Sequence, residues 1–341
     1  MDDVARRAGV SGATVSHVLN ETRRVSDSTR KKVEAAIRET GYRHNTLARA
    51  LAAGRTHTIG MCVPILTNPY IANLVNAMET AASEAGYTLM IGDSRDDAEI
   101  EVRTVNTFLE RRVDGIIVAP GVDSQRLTMP LLEASGIPLV LIDRHVREVD
   151  ADQVFAEGID STKRLTSHML EHGHREIAVL AGTPGIRSTD ERLEGFRAAF
   201  AARGLEVDPE LVVVGNSNAE SSERALLELL GRRRPEAVVA LNNAMTIGAM
   251  RAFRGLGLRV PQDIALASFD DFEWADLFEP RITALAQDVA GMGRQALELL
   301  VARIADPERP TRLVSLAPAL HVRDSCGVDR HSAADSIGSD A

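Results

Sequence analysis

The stretch from Ser11 to Asn20 reads Ser-Gly-Ala-Thr-Val-Ser-His-Val-Leu-Asn. At 3.6 residues per turn Val15, Val18 and Leu19 gather on one face, which leaves Thr14, Ser16, His17 and Asn20 outward. Short hydroxyl, imidazole and amide side chains suit one chemistry, hydrogen bonds to phosphate oxygens and base edges. Their small size also lets a helix backbone approach a phosphate-lined groove. The element that must position this helix precedes it. Asp3 to Val10 carries a second short helical pattern that stops near Gly9, and Val4, Ala8 and Val10 complete a small core with Val15, Val18 and Leu19. Helix, tight turn, helix is the expected arrangement, with the second helix in a major groove.

A chain of 341 residues is too long for one compact core and predicts two or three domains. With 44% hydrophobic and 26% charged residues the composition is that of a globular protein. No apolar run reaches the roughly 18–20 residues of a membrane helix, and no export signal opens the chain. Cys62 and Cys326 lie far apart and form no metal spacing, so a reducing cytoplasmic compartment is expected. Net charge is -10, which looks wrong for a nucleic-acid partner, but its distribution is uneven. Residues 1–60 hold 11 Lys/Arg against 6 Asp/Glu, and the remainder holds 28 against 43. A basic head on an acidic body concentrates phosphate attraction at one end; a basic surface without a partner is the alternative.

Residues 26–40 read as a third helix, capped by Ser26 and stopped by Gly41. Asn45 can cap a short helix over 46–53 that ends at Gly54. From Thr58 onward, apolar strands alternate with amphipathic helices, twice over, which indicates α/β architecture with parallel sheets covered on both faces. The expected domains are a small all-α helix-turn-helix head (1–44), a hinge helix and linker (45–57), a first lobe (58–157 with 289–312), a second lobe (158–288 with 313–324) and a disordered tail (325–341). Ligands of open parallel sheets bind beyond the carboxyl ends of strands. The segments after Pro64, Gly92, Asp143, Ala181, Leu241 and Phe269 therefore line a candidate cleft between the lobes.

Taken together, Asp3-Val4-Ala5, Gly9-Val10-Ser11, Thr14-Val15-Ser16, Asn20, Val25-Ser26, Gly41-Tyr42 and Asn45 resemble the head of the lactose-repressor (LacI/GalR) family. Similarity continues through Arg112-Val113-Asp114-Gly115, Gly173-His174-Arg175-Glu176-Ile177, Arg192 with Gly195-Phe196, and Gly257-Leu258-Arg259-Val260-Pro261-Gln262-Asp263. The resemblance spans about residues 3 to 324. It implies a periplasmic-binding-protein-like core and a homodimer on a pseudo-palindromic double-stranded operator, controlled by a small effector in the cleft, with repression the expected sense. No terminal heptad repeat is evident, which favours a dimer over a tetramer.

The resemblance assigns phosphate contacts to Ser11, Ser16, Asn20, Asn45 and Arg49, and base reading to Gly12, Ala13, Thr14 and His17. Leu51 becomes a minor-groove wedge on a hinge helix that folds on DNA. Gly12 has no side chain and Ala13 offers only a methyl, so His17 becomes the main hydrogen-bonding reader; the alternatives are an exposed histidine without a role and a plain linker at 46–53. His44 stands where relatives often carry proline, and the family's capping threonine does not precede Met1, so either the true start lies upstream or the first helix lacks its cap. In the cleft, Arg192, Asn242, Asp270 and Gln287 match effector-contacting positions, and Tyr70 supplies a ring. Asp93, Asp143, Arg144, Ser188 and Thr189 are further candidates at strand ends, and a structural Asp270–Arg192 ion pair is the alternative. Asn242-Asn243 and Glu157-Gly158 replace the family's Asn-Asp and Asp-Asn. With Arg95, Arg187 and Arg192 retained, a sugar acid is favoured over a neutral sugar.

His172-Gly173-His174 is a poor ligand set and matches a structural turn of the family, so no metal is expected. The chain has no Gly-x-Ser-x-Gly elbow, P-loop lysine or dinucleotide fingerprint, so neither an enzyme nor a cofactor is expected. A sugar-binding transport protein and a cytoplasmic sugar-modifying enzyme remain as competing readings.

Overall fold

The structure is a computed structural model that describes residues 1–20, 23–42, 55–146, 149–277 and 279–327. It divides into two units, Met1–Thr56 and His57–Ala341. Among the described residues no helix is long and apolar enough to cross a membrane.

The described residues of the first unit form three helices: α1 (Asp2–Ala8), α2 (Gly12–Asn20) and α3 (Asp27–Thr40). Helix α1 stops because Gly9 turns left-handed, at φ 67°, and the Val10 amide returns to the Ala5 carbonyl at 3.0 Å. Met1 at its N-cap makes no side-chain capping bond. Ser11 Oγ opens α2 by accepting the Thr14 amide at 3.1 Å, and Ser26 Oγ opens α3 by accepting the Thr29 amide at 3.3 Å. Val4, Ala5, Val15, Val18, Val33 and Ala36 are buried together, and Ala8, Val10, Val25, Ile37 and Tyr42 pack around them. The small shared core expected from the spacing is present, apart from Leu19, whose side chain is not among those described, and it extends onto α3.

The second unit contains two six-stranded sheets. The first has the order β11-β5-β4-β3-β1-β2 and is parallel throughout. Its strands are β1 (Thr58–Val63), β2 (Thr88–Asp93), β3 (Gly115–Val118), β4 (Leu139–Asp143), β5 (Asp152–Ala156) and β11 (Leu313–Leu316). The second has the matching order β12-β10-β9-β8-β6-β7, parallel except for its last edge, where β12 runs antiparallel to β10. Its strands are β6 (Ile177–Ala181), β7 (Val212–Val214), β8 (Ala237–Ala240), β9 (Ala265–Phe269), β10 (Thr283–Ala286) and β12 (Ala319–His321).

The apolar strands reflect burial on both faces. In β1, Ile59, Met61 and Val63 join one core with α4 (Pro69–Glu84) and α11 (Val289–Ala305). Cys62 joins a separate core on the other face, with Phe108 of α5 (Ala98–Glu110) and Leu132 of α6 (Ser124–Ser135). The second lobe carries α7 (Ile159–Glu171), α8 (Arg187–Ala201), α9 (Ala219–Arg232) and α10 (Asn243–Gly255).

Two expected boundaries are corrected. Residues 313–316 belong to the first lobe, since β11 pairs with β5 with Leu313 opposite Gln153. The cause is Asp152, fully buried, which holds Arg303 at 3.0 Å, Arg309 at 3.5 Å and the Arg312 amide at 2.9 Å. The chain is thus still tied to the first lobe at residue 312, and it crosses only at 317–318. The ordered chain also runs past 324. Ser325 and Cys326 are buried in a short turn, with Ser325 Oγ accepting the Thr283 amide at 2.8 Å and donating to the Leu266 carbonyl at 2.6 Å. Residues 328–341 lie outside the described residues.

Helices α7 and α8 touch at Gly195, where a β-carbon would lie 2.2 Å from the Ile159 carbonyl oxygen. A backbone atom cannot swing aside, so Gly195→Ala is expected to destabilise the second lobe. Overpacking costs on the order of 1–3 kcal/mol, which outweighs the roughly 1 kcal/mol alanine gains in helix propensity. A lower urea midpoint measures the effect; an unchanged midpoint means the helices separate freely.

Candidate functional site

On α2 the residues expected to face outward differ in exposure. Ser11 and Ala13 are exposed, and Gly12, Thr14, Ser16 and His17 are half-buried. Ser11 Oγ also lies 2.9 Å from Thr14 Oγ1, so these two hydroxyls form one local pair at the start of the helix. Added bulk at Gly12 would meet open space. Asn20 lies within α2, but its side chain is not among those described, and Asn45, Arg49 and Leu51 lie outside the described residues.

The second unit holds a narrow cleft, with room for about 60 Å³ of solvent, beyond the carboxyl ends of the strands of both sheets. Tyr70, Asp143 and Arg144 line it from the first lobe, and Ser188, Thr189, Arg192, Asn242 and Asp270 from the second. Gln287 lines it from one of the connections between the sheets. Pro64, Ile65, Asn68, Ile71, Gly182, Ile186, Ser217 and Leu241 complete the wall.

A closed ring of hydrogen bonds joins the lobes across this space. The Tyr70 hydroxyl lies 3.0 Å from Gln287 Oε1, and Gln287 Nε2 donates to Asp270 Oδ1 at 2.5 Å. Asp270 Oδ2 accepts the Asn243 amide at 3.2 Å, and Asn243 Nδ2 donates to Asn68 Oδ1 at 2.8 Å. Asn68 Oδ1 in turn caps α4 by accepting the Tyr70 amide at 3.0 Å. Asp143 attaches to the ring through the Tyr70 hydroxyl, 2.8 Å away. Asp143 and Asp270 both sit in the left-handed region, at φ 69° and 81°, at the ends of the equivalent strands β4 and β9. Backbone strain of this kind is held in place by the surrounding structure.

Burial sets the electrostatics. It lifts Asp270 above the usual carboxylate range, although the charge of Arg192 works the other way. It also lifts the Tyr70 phenol, reinforced by Asp143 and Asp270, so the hydroxyl keeps its proton and donates. Burial works against the charge of Arg144, but Asp96 at 2.7 Å holds its pKa up. Arg192 donates from Nη1 to the Leu241 carbonyl at 2.7 Å and stacks 3.6 Å over the Phe269 ring. Its Nε is buried and has no hydrogen-bond partner. Among the described residues no ion pair joins Arg192 to Asp270, so Arg192 keeps a donor for the cleft.

Of the cleft residues singled out from sequence, Asp93 is not brought to the cleft wall. Its carboxylate accepts the Leu66 amide at 3.3 Å and the Arg95 amide at 2.9 Å, tying two loops together at the edge of the sheet. Arg95 and Arg187 do not line the cleft either. Arg187 lies 2.9 Å from Glu191, which also meets His145 at 3.2 Å, in a cluster that joins α8 to the segment after β4. Two of the three arginines behind the expectation of a sugar acid are thereby removed from the cleft. Asn68 and Ser217 were missed. Asn68 was legible as the residue before Pro69 at a helix start, whereas Ser217 sits in a loop with left-handed backbone that no pattern marks.

Comparison with known proteins identifies the family and the fold. Residues 1–45 match the model of bacterial regulatory proteins of the lacI family, and residues 166–326 match a periplasmic binding protein-like domain. The chain is 35% identical over 326 residues to the ribose operon repressor of Escherichia coli (strain K12), covering 95% of this chain and 99% of that protein. It is 33% identical over 324 residues to the HTH-type transcriptional repressor PurR of Vibrio vulnificus (strain CMCP6), covering 95% and 97%. Among solved structures, the lac repressor dimer bound to operator and the anti-inducer ONPF aligns with a TM-score of 0.85 at 28% identity, covering 95% of this chain and 98% of that one. The transcriptional regulator CelR in complex with cellobiose aligns with a TM-score of 0.72 at 33% identity, covering 95% and 98%. The chain belongs to the LacI family of DNA-binding transcriptional regulators, with a periplasmic-binding-protein-like effector domain behind its helix-turn-helix head.

Proposed function

We propose that this protein is a homodimeric repressor of a pseudo-palindromic operator, and that a neutral sugar bound in the cleft sets its operator affinity. The observation that carries the reading is the ring through Tyr70, Gln287, Asp270, Asn243 and Asn68, because its members come from both lobes and all but Asn243 line one cavity. A ligand with many hydroxyls can donate to Asp143 and Asp270 and accept from Arg192 Nε, while a sugar face rests on the ring of Tyr70. Two carboxylates on the wall, with Arg144 already paired to Asp96, favour a neutral sugar over a sugar acid. The cellobiose complex of CelR and the operator-bound lac repressor dimer are relatives that lend support to sugar control and to pairing.

In the mechanism we favour, the effector selects one angle between the lobes. The first lobe receives the chain from the head at Thr58, so a change of angle alters the separation of two heads in a dimer. Base reading is assigned to His17, with Gly12, Ala13 and Thr14 beside it, and phosphate contacts to Ser11, Ser16 and Asn20. The residues of the proposed hinge, Asn45, Arg49 and Leu51, keep the roles the family resemblance gives them.

Isothermal titration with pentoses, hexoses, sugar acids and nucleobases tests the effector, and neutral sugars are expected to bind. Exclusive binding of acids or of nucleobases overturns that choice. Arg192→Ala is expected to weaken the bound sugar by on the order of 1.5–3 kcal/mol, the worth of a charge-assisted hydrogen bond. Gel-shift titration with twofold-symmetric duplexes tests the head. His17→Ala is expected to lose about 1–3 kcal/mol and to relax sequence preference, whereas a change in affinity that is uniform across sequences would make His17 a backbone contact.

The lifted carboxyl of Asp270 sets a further outcome. A group whose pKa is raised on folding lends stability in acid that is lost as pH rises through the folded pKa. Asp270→Asn is expected to flatten this part of the pH profile of thermal unfolding above the ordinary carboxylate range; an unaltered profile would show that another group governs it.

A further inference from the structure

We propose that His168, His172 and Cys326 form a binding site for a divalent zinc-class metal ion on the second lobe, away from the effector cleft. Their ligand atoms all lie within 4.8 Å of one another. No metal was expected from His172-Gly173-His174, and the fold does not pair those two imidazoles. His174 Nε2 lies 2.8 Å from the Cys326 carbonyl oxygen and is spent there. The second imidazole comes instead from one turn back on α7, since His168 and His172 are four residues apart on one helical face. Their ring centroids are 4.2 Å apart, at 55°.

Local chemistry prepares the ligands. His172 Nδ1 lies 2.9 Å from the His168 carbonyl oxygen. A carbonyl only accepts, so Nδ1 carries the proton and the Nε2 lone pair is left for a metal, the outer-sphere arrangement that orients metal-bound histidines. The third ligand comes from the end of the described chain. Cys326 closes the turn Asp324–Cys326, which is pinned by the Ser325 bonds to Thr283 and Leu266 and by His174 on the Cys326 carbonyl. Its thiol is buried and donates to the Arg323 carbonyl at 3.3 Å; metal binding exchanges that proton for the ion. Tetrahedral zinc places neighbouring N and S ligands about 3.3–3.6 Å apart. A contraction of up to about 1 Å accompanies binding. Two imidazoles and a thiolate with no carboxylate select zinc, cobalt, nickel or copper over magnesium or calcium, and leave a fourth position for water. The ion would fasten the last turn of α7 to the C-terminal turn.

Titration of Co2+ into reduced, metal-free, full-length protein tests the site. The expected result is one equivalent with the visible bands of four-coordinate cobalt and a thiolate charge-transfer band, both lost when Zn2+ is added. Cys326→Ser and His172→Ala are expected to abolish the charge-transfer band, and Cys62→Ser to retain it, since burial pushes the Cys62 thiol well up. A missing band, or one that survives Cys326→Ser, overturns the proposal. Zinc-edge X-ray absorption on the unaltered protein gives an answer even if a variant fails to fold: two imidazoles and one sulfur near about 2.3 Å support the site, and a shell without sulfur rejects it.

Discussion

The Tyr70 hydroxyl has one proton and two acceptors, Asp143 at 2.8 Å and Gln287 at 3.0 Å. One acceptor belongs to the first sheet and the other to a segment that joins the two sheets, so the geometry of the cleft depends on how this proton is shared. Burial keeps the phenol protonated, and the same burial makes an unmet acceptor costly. Asp270 is drawn in through Gln287, Asn243 through Asp270, and Asn68 through Asn243. A ligand that supplies hydroxyls to Asp143 or Asp270 therefore acts on a network that both lobes already share.

The two lobes repeat one plan. Equal strand orders place β4 and β9 at equivalent positions, and each ends in an aspartate with left-handed backbone. The loops after β2 and β7 repeat the same feature, at Arg95-Asp96 and Asn216-Ser217. Non-glycine residues in this region are uncommon, and their recurrence at matching strand ends is a feature that the two lobes share.

The head and the central strands were legible in the sequence because their signals are local. Spacing alone gave the α1–α2 core, and apolar runs such as Ile177–Ala181 gave the strands of sheets covered on both sides. Strand β5 was not legible, because it opens with Asp152 and Gln153. Both are buried only because distant groups satisfy them: Arg303 and Arg309 serve Asp152, and the backbone of Val146 serves Gln153. Edge strands β11 and β12 are mostly apolar, but they are only four and three residues long and partly exposed, too short to stand out. In the cleft, positions at strand ends and positions shared with the family came through. Asp93 failed because a strand-end carboxylate can equally fasten its own loops. His168, His172 and Cys326 come together through a contact between α7 and the end of the described chain, which no sequence window contains.

Both sheets receive their outermost strand from the last part of the described chain: β11 completes the first, and β12, only a few residues later, the second. A ribosome making this protein has therefore emitted nearly every core residue of both lobes before either sheet is whole. The three-helix head closes on local contacts and can form at once, whereas the body waits with two open sheet edges, the surface on which chains pair wrongly. Loss of residues 313–326 would leave neither lobe intact, so a small deletion at that end harms the effector domain as a whole.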